Sequence, residues 1–267
     1  FTRDDRKSVR LDGCSISLPD FLIPRMGAST TYFALAVIRQ LERLGVYTIN
    51  SSQSIETVKD KLYTQQILAE SNLPVPKTML VKFPVNIELI EKQIGFPVVV
   101  KTLSGSKGSG VFLSETKQHF RDLMQLIEST NPTANVIIQE YIESSHGRDL
   151  RVFVIGDRVV ACMTRIAKEG FKANYSQGGE VKKFTVTPEI EWLARKSASI
   201  LGLSIAGIDL LFDGDHYKIC EANSSPGFKG LESCCDINIP AEIFSYIRLS
   251  LEAAGRIRKS EGESGNA

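Results

Sequence analysis

The sequence is short of several things, and each shortage excludes a class of function. Its three histidines, His119, His146 and His216, are scattered singly, so neither a histidine-based metal site nor a Ser-His-Asp arrangement is encoded. The five cysteines, Cys14, Cys162, Cys220, Cys234 and Cys235, are odd in number and contain no C-x-x-C. That argues against a disulfide framework and against a zinc ribbon, and predicts reduced thiols in a cytoplasmic protein. The adjacent Cys234 and Cys235 read as two small buried residues before they read as a redox pair. No run approaches the ~18 consecutive apolar residues of a membrane span. The opening FTRDDRKSVR has charge but no apolar core behind it, unlike a secretory signal. Charge of one sign is also lacking: 32 Lys and Arg against 31 Asp and Glu leave a net +1. A general nucleic-acid binder or a protein held to anionic membranes would need a positive excess.

What is present fits an enzyme. Of 267 residues, 42% are hydrophobic and 24% charged. At roughly 150 residues per domain this is one large or two modest domains. Phe21 to Pro24 is a short strand, Ser29 or Thr30 caps a helix running to Leu44, and Val46 to Ile49 is a second strand. That is about half of a βαβ unit. A helix is predicted over Glu56 to Glu70, ended by the prolines at 74 and 76. Strands follow at Phe96 to Lys101, Gly110 to Leu113 and Val136 to Gln139, with an amphipathic helix through Phe120, Met124 and Ile127. Leu150 to Ile155 and Val159 to Thr164 flank Gly156-Asp157, a hairpin signal. Lys168 to Gly179 reads as a loop and Pro188 to Leu201 as a helix. Ile205 to Phe212 and Tyr217 to Ala222 form another hairpin, before a helix over Pro240 to Ala253 and a charged, disordered tail. Helices mixed with antiparallel hairpins make the class α/β or α+β.

Three features carry chemistry. The loop Gly105-Ser-Lys-Gly-Ser-Gly110 is neither a Walker A nor a Rossmann loop. Between two antiparallel strands it is either a plain hairpin tip or a flap whose amides face phosphate oxygens. Lys101, at the end of Val98-Val99-Val100, is either a solvated strand end or a phosphate ligand. Asp209 lies inside the apolar run 205–212, where a carboxylate is costly unless paired or bound to a cation. Glu221 and Asn223 share a face of the partner strand, ~7 Å apart. A five-residue loop over 213–217 sets Asp209 opposite Glu221; shorter loops slip that register. Two carboxylates and an amide oxygen suit Mg²⁺ or Mn²⁺; the competing reading is a carboxylate pair tied up by arginine or lysine. Arg148, Arg151, Arg165 and Lys172 await either substrate anions or internal acids.

The ordered set of motifs resembles the ATP-grasp superfamily, and within it the RimK-type amino-acid ligases. The matching residues are Val58-Lys-Asp-Lys61, Val98-Val-Val-Lys101 with Gly105-x-x-Gly108-x-Gly110, Gln139-Glu-Tyr-Ile142 and Gly147-Arg-Asp-Leu-Arg151. Then come Arg165-x-Ala-Lys-Glu-Gly170, Asn174 with Gly178-Gly179, Ala206-Gly-Ile-Asp209, Cys220-Glu-Ala-Asn-Ser-Ser-Pro-Gly227 and Gly230-Leu-Glu232. They cover roughly residues 21 to 251. The resemblance implies two α+β subdomains gripping ATP, preceded by an N-terminal α/β pre-ATP-grasp domain. It divides the chain at 1–54, 55–143, 144–256 and a tail at 257–267. It implies a further strand–helix–strand segment, of order 40 residues, ahead of Phe1.

Carried over position by position, the resemblance assigns Lys61, Lys101, Gly105 and Gly108 to ATP phosphates. It assigns Glu140, Tyr141 and Ile142 to the adenine, and Asp149 to the ribose. Lys172 and Asn174 match a loop reaching the terminal phosphate and the amino acid, although relatives often carry an arginine near Lys172. Arg165 would hold a substrate carboxylate or oxyanion. Asp209, Glu221 and Asn223 would hold Mg²⁺ or Mn²⁺, two ions in all. The implied reaction activates a carboxylate as an acyl-phosphate and lets an amine attack it, with charge stabilised by cations and arginines. No enzyme nucleophile is required, and no G-x-S-x-G is present. Asn-Ser-Ser-Pro-Gly after Glu221 looks like the glutamate-adding members, whereas lysine-biosynthetic relatives differ there. The implied partners are glutamate and a carboxylate acceptor such as a ribosomal protein tail, free glutamate, aspartate or a cofactor, in a homotetramer without nucleic acid or membrane. The alternatives are a kinase on the same fold, a ligase for another amino acid and a non-catalytic nucleotide-binding module.

Overall fold

In the computed structural model, which describes residues 9–26, 31–102, 110–173 and 178–255, the chain opens with a small antiparallel hairpin. Its strands are β1 (Arg10–Leu11) and β2 (Cys14–Ser15). β3 (Phe21–Leu22) and β4 (Tyr47–Thr48) then pair in parallel on either side of α1 (Thr31–Arg43). Gly45, at φ 89°, stops α1 where the sequence predicts. Leu35 and Ile38 of α1 pack on Ile55.

The single helix expected over 56–70 is two helices, α2 (Ser52–Lys59) and α3 (Lys61–Glu70). Asp60 divides them. Its backbone is extended and its carboxylate accepts from Tyr63 N at 2.9 Å, capping α3. Asp competes with the helix for backbone donors, so it is more stable as a cap than as an interior residue.

Next come β5 (Thr78–Val81), α4 (Ile87–Gln93), β6 (Val98–Thr102), β7 (Val111–Ser114), α5 (Lys117–Thr130) and β8 (Val136–Glu140). The four strands form one antiparallel sheet in the order β5-β8-β6-β7. Val98, Val100, Val136 and Ile138 on one face pack against Phe120 and Met124 of α5 and Ile90 of α4. β5 and α4 are absent from the sequence-based expectation because segments this short fall below the window in which periodicity is readable.

A turn over Glu143–Ser145 leads into β9 (Arg148–Ile155), β10 (Arg158–Ile166), β11 (Glu180–Lys183), α6 (Pro188–Ile200), β12 (Ile205–Asp213) and β13 (His216–Asn223). α7 (Lys229–Cys234) and α8 (Ile239–Ala253) complete the described chain. The strands form a five-stranded antiparallel sheet, β11-β10-β9-β12-β13. Gly156-Asp157 is the predicted two-residue turn, with Ile155 paired to Arg158. One face, including Leu150, Val152, Ile208 and Leu210, is covered by α6 together with Val58, Leu68 and Leu73. The other face starts apolar: Phe153, Met163 and Ile205 pack on Leu231, Ile239 and Ile243 of α7 and α8. Two residues farther along the same strands, alternation brings Arg151, Arg165 and, past Gly207, Asp209 to this face. No helix among the described residues is long and apolar enough to cross a membrane. Gly105, Gly108, Asn174 and the expected tail lie outside the described residues.

Candidate functional site

Glu221 stands directly opposite Asp209, and Asn223 opposite Gly207. The turn alone does not produce this pairing. Gly214-Asp215 closes a two-residue turn that pairs Asp213 with His216 and Leu210 with Ile219. Continued unchanged, that register would set Asp209 against Cys220. A β-bulge between Leu210 and Asp209 absorbs Cys220 as an extra residue and delivers Glu221 instead. The pairing expected from a five-residue loop is thus reached by a shorter turn plus a bulge. The bulge is supported from α3: Gln65 Nε2 donates to Cys220 O at 2.9 Å. Ile219 N donates to Pro74 O at 2.8 Å, so the segment after α3 covers part of the edge of β13.

Asp209 is only 4% exposed. Arg151, its cross-strand neighbour on β9, grips it with Nε on one oxygen and a terminal nitrogen at 2.7 Å on the other. Arg165 reaches it from β10 at 2.9 Å. Arg165 in turn donates twice to Asp149, both at 2.7 Å. The result is a row of alternating charges, Arg151–Asp209–Arg165–Asp149. Burial pushes the Asp209 carboxyl up, but the two guanidiniums outweigh it and hold the group below its ordinary value. For Asp149 burial wins over Arg165, and the carboxyl is pushed up to about 6. Burial lowers Arg165, yet its two carboxylate partners raise it above the ordinary value overall.

Of the two readings of Asp209 left open by the sequence, the arginine-paired one describes this conformation. The donors beside it remain suited to a cation. Glu221 is exposed and has no salt-bridge partner among the described residues. Asn223 spends its Nδ2 on Gly207 O at 3.4 Å, which leaves Oδ1 for another partner. Glu221, Asn223 and the edge of Asp209 form an oxygen-only set on one face, the hard donor type for Mg²⁺ or Mn²⁺. Among the described residues no three His, Cys, Asp or Glu side chains cluster as a metal site. A cation here would therefore draw further ligands from water and substrate phosphate.

Lys101 lies on the face of the four-stranded sheet away from its core. Its Nζ donates to Gln139 Oε1 at 2.6 Å, and Gln139 Nε2 donates to Thr78 Oγ1 at 3.0 Å. Burial raises the Cys220 thiol pKa while the Lys101 charge opposes it, which puts Lys101 within electrostatic reach of the bulge on the other sheet. Glu140 accepts from Lys77 N and from Lys218, each at 3.0 Å. Burial pushes Glu140 up, but these donors hold it below its ordinary value. The Tyr141 hydroxyl bonds His146 Nδ1, and the Ile142 carbonyl accepts from Ser145 N at 3.0 Å. Residues 140–146 thus form a braced bend between the two sheets. Lys61 begins α3 and is half-buried. Lys172 lies 5.7 Å from the ring centroids of both Phe112 and Phe171, bringing the loop after β10 to β7.

The sequence reading missed two residues from the N-terminal segment. Asn50 is buried; its Nδ2 donates to Ile205 O at 2.7 Å and Ser224 O at 2.8 Å. Its Oδ1 accepts from Ser204 N at 2.7 Å and Ile205 N at 2.9 Å. Arg25 donates to Pro226 O at 3.1 Å and lies over the Phe228 ring. No local pattern marks either, because their partners are more than 150 residues away.

The chain is similar to known proteins along most of its length. The model of the RimK-like ATP-grasp domain matches residues 58–247, and that of the RimK PreATP-grasp domain matches residues 2–55. A protein of Trichodesmium erythraeum named probable alpha-L-glutamate ligase is 40% identical over 241 residues, 90% of this chain and 80% of the relative. One of the same name from Legionella pneumophila is 40% identical over 230 residues, 85% and 76% of the two chains. Among solved structures, the ATP-grasp ligase PsnB complexed with minimal precursor superposes with a TM-score of 0.72 at 20% identity, covering 93% of this chain and 85% of that one. The D-alanine–D-alanine ligase of Bacillus anthracis superposes with a TM-score of 0.63 at 19% identity, covering 85% and 77%. The two structures share the fold; the family matches and the relatives go further, and the chain belongs to the RimK-like ATP-grasp family of ATP-dependent carboxylate–amine ligases.

Proposed function

We propose that this ligase joins the amino group of glutamate to the carboxylate of a polypeptide acceptor, such as a ribosomal protein tail. The observation that carries the site assignment is the cross-strand set Asp209, Glu221 and Asn223, with the Lys101 charge of the other sheet felt at the neighbouring Cys220. The choice of glutamate is supported by the relatives named alpha-L-glutamate ligase. A peptide acceptor is supported by a fold neighbour solved with a precursor peptide.

Lys101 and Lys61 neutralise ATP phosphates, and Gly105 and Gly108 are assigned to the same phosphates. Backbone groups at Glu140, Tyr141 and Ile142 read the adenine, and Asp149 takes the ribose hydroxyls. Mg²⁺ or Mn²⁺, held by Asp209, Glu221 and Asn223, supplies positive charge to the transferring phosphoryl group. Arg165 steadies the acceptor carboxylate as it becomes an acyl-phosphate and then the tetrahedral oxyanion. Lys172 and Asn174 reach toward the terminal phosphate and the incoming amine. Because water hydrolyses an acyl-phosphate, the reaction needs a site from which water is excluded. A cytoplasmic setting fits five unbridged cysteines.

The test is mass spectrometry of peptide acceptors incubated with ATP, Mg²⁺ and each amino acid in turn. Glutamate should give a mass increase of one residue with equimolar phosphate release. A phosphorylated product that accumulates in the presence of glutamate overturns the reading in favour of a kinase.

A further inference from the structure

Three arginines approach the loop and strands that carry Glu221 and Asn223, and they differ in what they face. Arg165 is buried and Arg151 largely so, and in this conformation both are paired with Asp209 or Asp149. Arg25 is exposed and meets no acidic side chain among the described residues. One terminal nitrogen donates to Pro226 O at 3.1 Å, and the guanidinium carbon sits 5.2 Å from the Phe228 ring centroid. No acidic side chain among the described residues pairs with it. Burial lowers its pKa and no carboxylate opposes that shift. An exposed guanidinium steadied by a carbonyl and a ring keeps most of its N–H donors open to an anion from solution.

Its location says which anion. Pro226 packs on Gly207, where an added Cβ would come within 2.6 Å of Pro226 and 3.1 Å of Arg151 Cδ. Gly207 is the cross-strand partner of Asn223, two residues from Asp209. Asn50 pins the same loop at Ser224. The N-terminal segment therefore delivers one unmatched guanidinium to the lip of a charge row that is otherwise self-neutral. Guanidinium has five N–H donors in a planar fork, and carboxylate is the planar anion that accepts two in parallel. The stacked Phe228 ring fixes the plane of that fork.

We propose that Arg25 binds a non-reacting carboxylate of a ligase substrate, at the lip formed by residues 223–228. This rests on the ligase reading above. Two sources of that carboxylate are chemically equivalent here, the incoming amino acid and the acceptor, and the experiment separates them.

The variants are Arg25→Gln, which removes the charge but keeps a donor for Pro226 O, and Arg25→Lys, which keeps the charge but loses the fork. KM is measured for ATP, glutamate and a peptide acceptor, alongside Tm. Arg25→Gln should raise KM for one carboxylate substrate by about 10- to 100-fold, the range for a lost charge-assisted pair. Arg25→Lys should raise the same KM by a smaller factor. KM for ATP and Tm should stay near wild type. The substrate whose KM moves is the one held. Amidating its non-reacting carboxylate should then cost the wild type heavily and the Gln variant little. Unchanged KM for both substrates overturns the assignment, as does a joint shift of all three KM values with Tm, which marks a loop-support role. A wild type that binds ATP but shows no amino-acid-dependent turnover sinks the ligase reading and this assignment with it. A wild type that ligates while Arg25→Gln is unaffected sinks this assignment alone.

Discussion

The open face of the four-stranded sheet holds Lys101 against the neutral amide of Gln139, whereas the charged face of the five-stranded sheet holds Arg151, Asp209, Arg165 and Asp149 in an alternating row. Both sheets bury an apolar face under helices. They differ in what the second face can offer. A lysine beside an amide is a charge still available to an incoming phosphate. A matched row is already satisfied, so it fixes geometry: each member is held by another, and a buried charge without its partner is strongly unfavourable. The two faces should therefore respond differently to substitution, one in catalysis alone and the other in folding as well.

The largest effect is expected in the row. Asp209→Ala leaves two buried guanidiniums facing each other and should cost about 3–5 kcal/mol of stability, together with ATP turnover. Denaturant unfolding checks it; a variant as stable as wild type would show that the row does not support the fold. Asn50→Ala comes next, because it orphans backbone groups at Ser204, Ile205 and Ser224. It should cost about 2–4 kcal/mol and speed proteolysis of the N-terminal segment. Lys101→Met should instead leave Tm nearly unchanged while lowering kcat/KM for ATP by about 100-fold. Glu221→Gln should likewise keep the fold and lose Mg²⁺-dependent turnover; near-normal ligation by it would refute the cation assignment.

The smallest effect separates the two acids of the row by pH. The Asp149 carboxyl is raised from 3.8 to about 6, so the folded state takes up its proton first as pH falls. Its contribution makes stability decline as pH rises through that window. Asp209 is held below its ordinary value, so its contribution is intact above that value and lost only under stronger acid. Asp149→Asn should flatten the Tm profile between pH 4 and 6 relative to wild type. An unchanged slope would remove Asp149 from the account.

Much of the charged face was legible because a strand hairpin is a local object. Glycine and aspartate at 156–157 mark one turn, and period-two alternation assigns Asp209, Glu221 and Asn223 to faces. The β-bulge was not legible. It depends on a carbonyl at Cys220 finding Gln65 on another element, and nothing near Cys220 announces that partner. Asp60 shows the intermediate case: an N-cap lay inside a stretch periodic enough to pass as one helix.

The sequence by itself determined which residues bear charge, in what order, and on which side of their own strands they project. Backbone periodicity and turn chemistry act over a few residues, so these features follow from neighbours. Only the tertiary structure decided which opposite charges meet, that Asp209 is gripped by Arg151 and Arg165, and that Arg25 meets Pro226 and Phe228 and no acid among the described residues. Those outcomes depend on register and on burial between elements 16 to 201 residues apart. A charge in water has many equivalent partners, and it is the exclusion of water on folding that makes one partner matter.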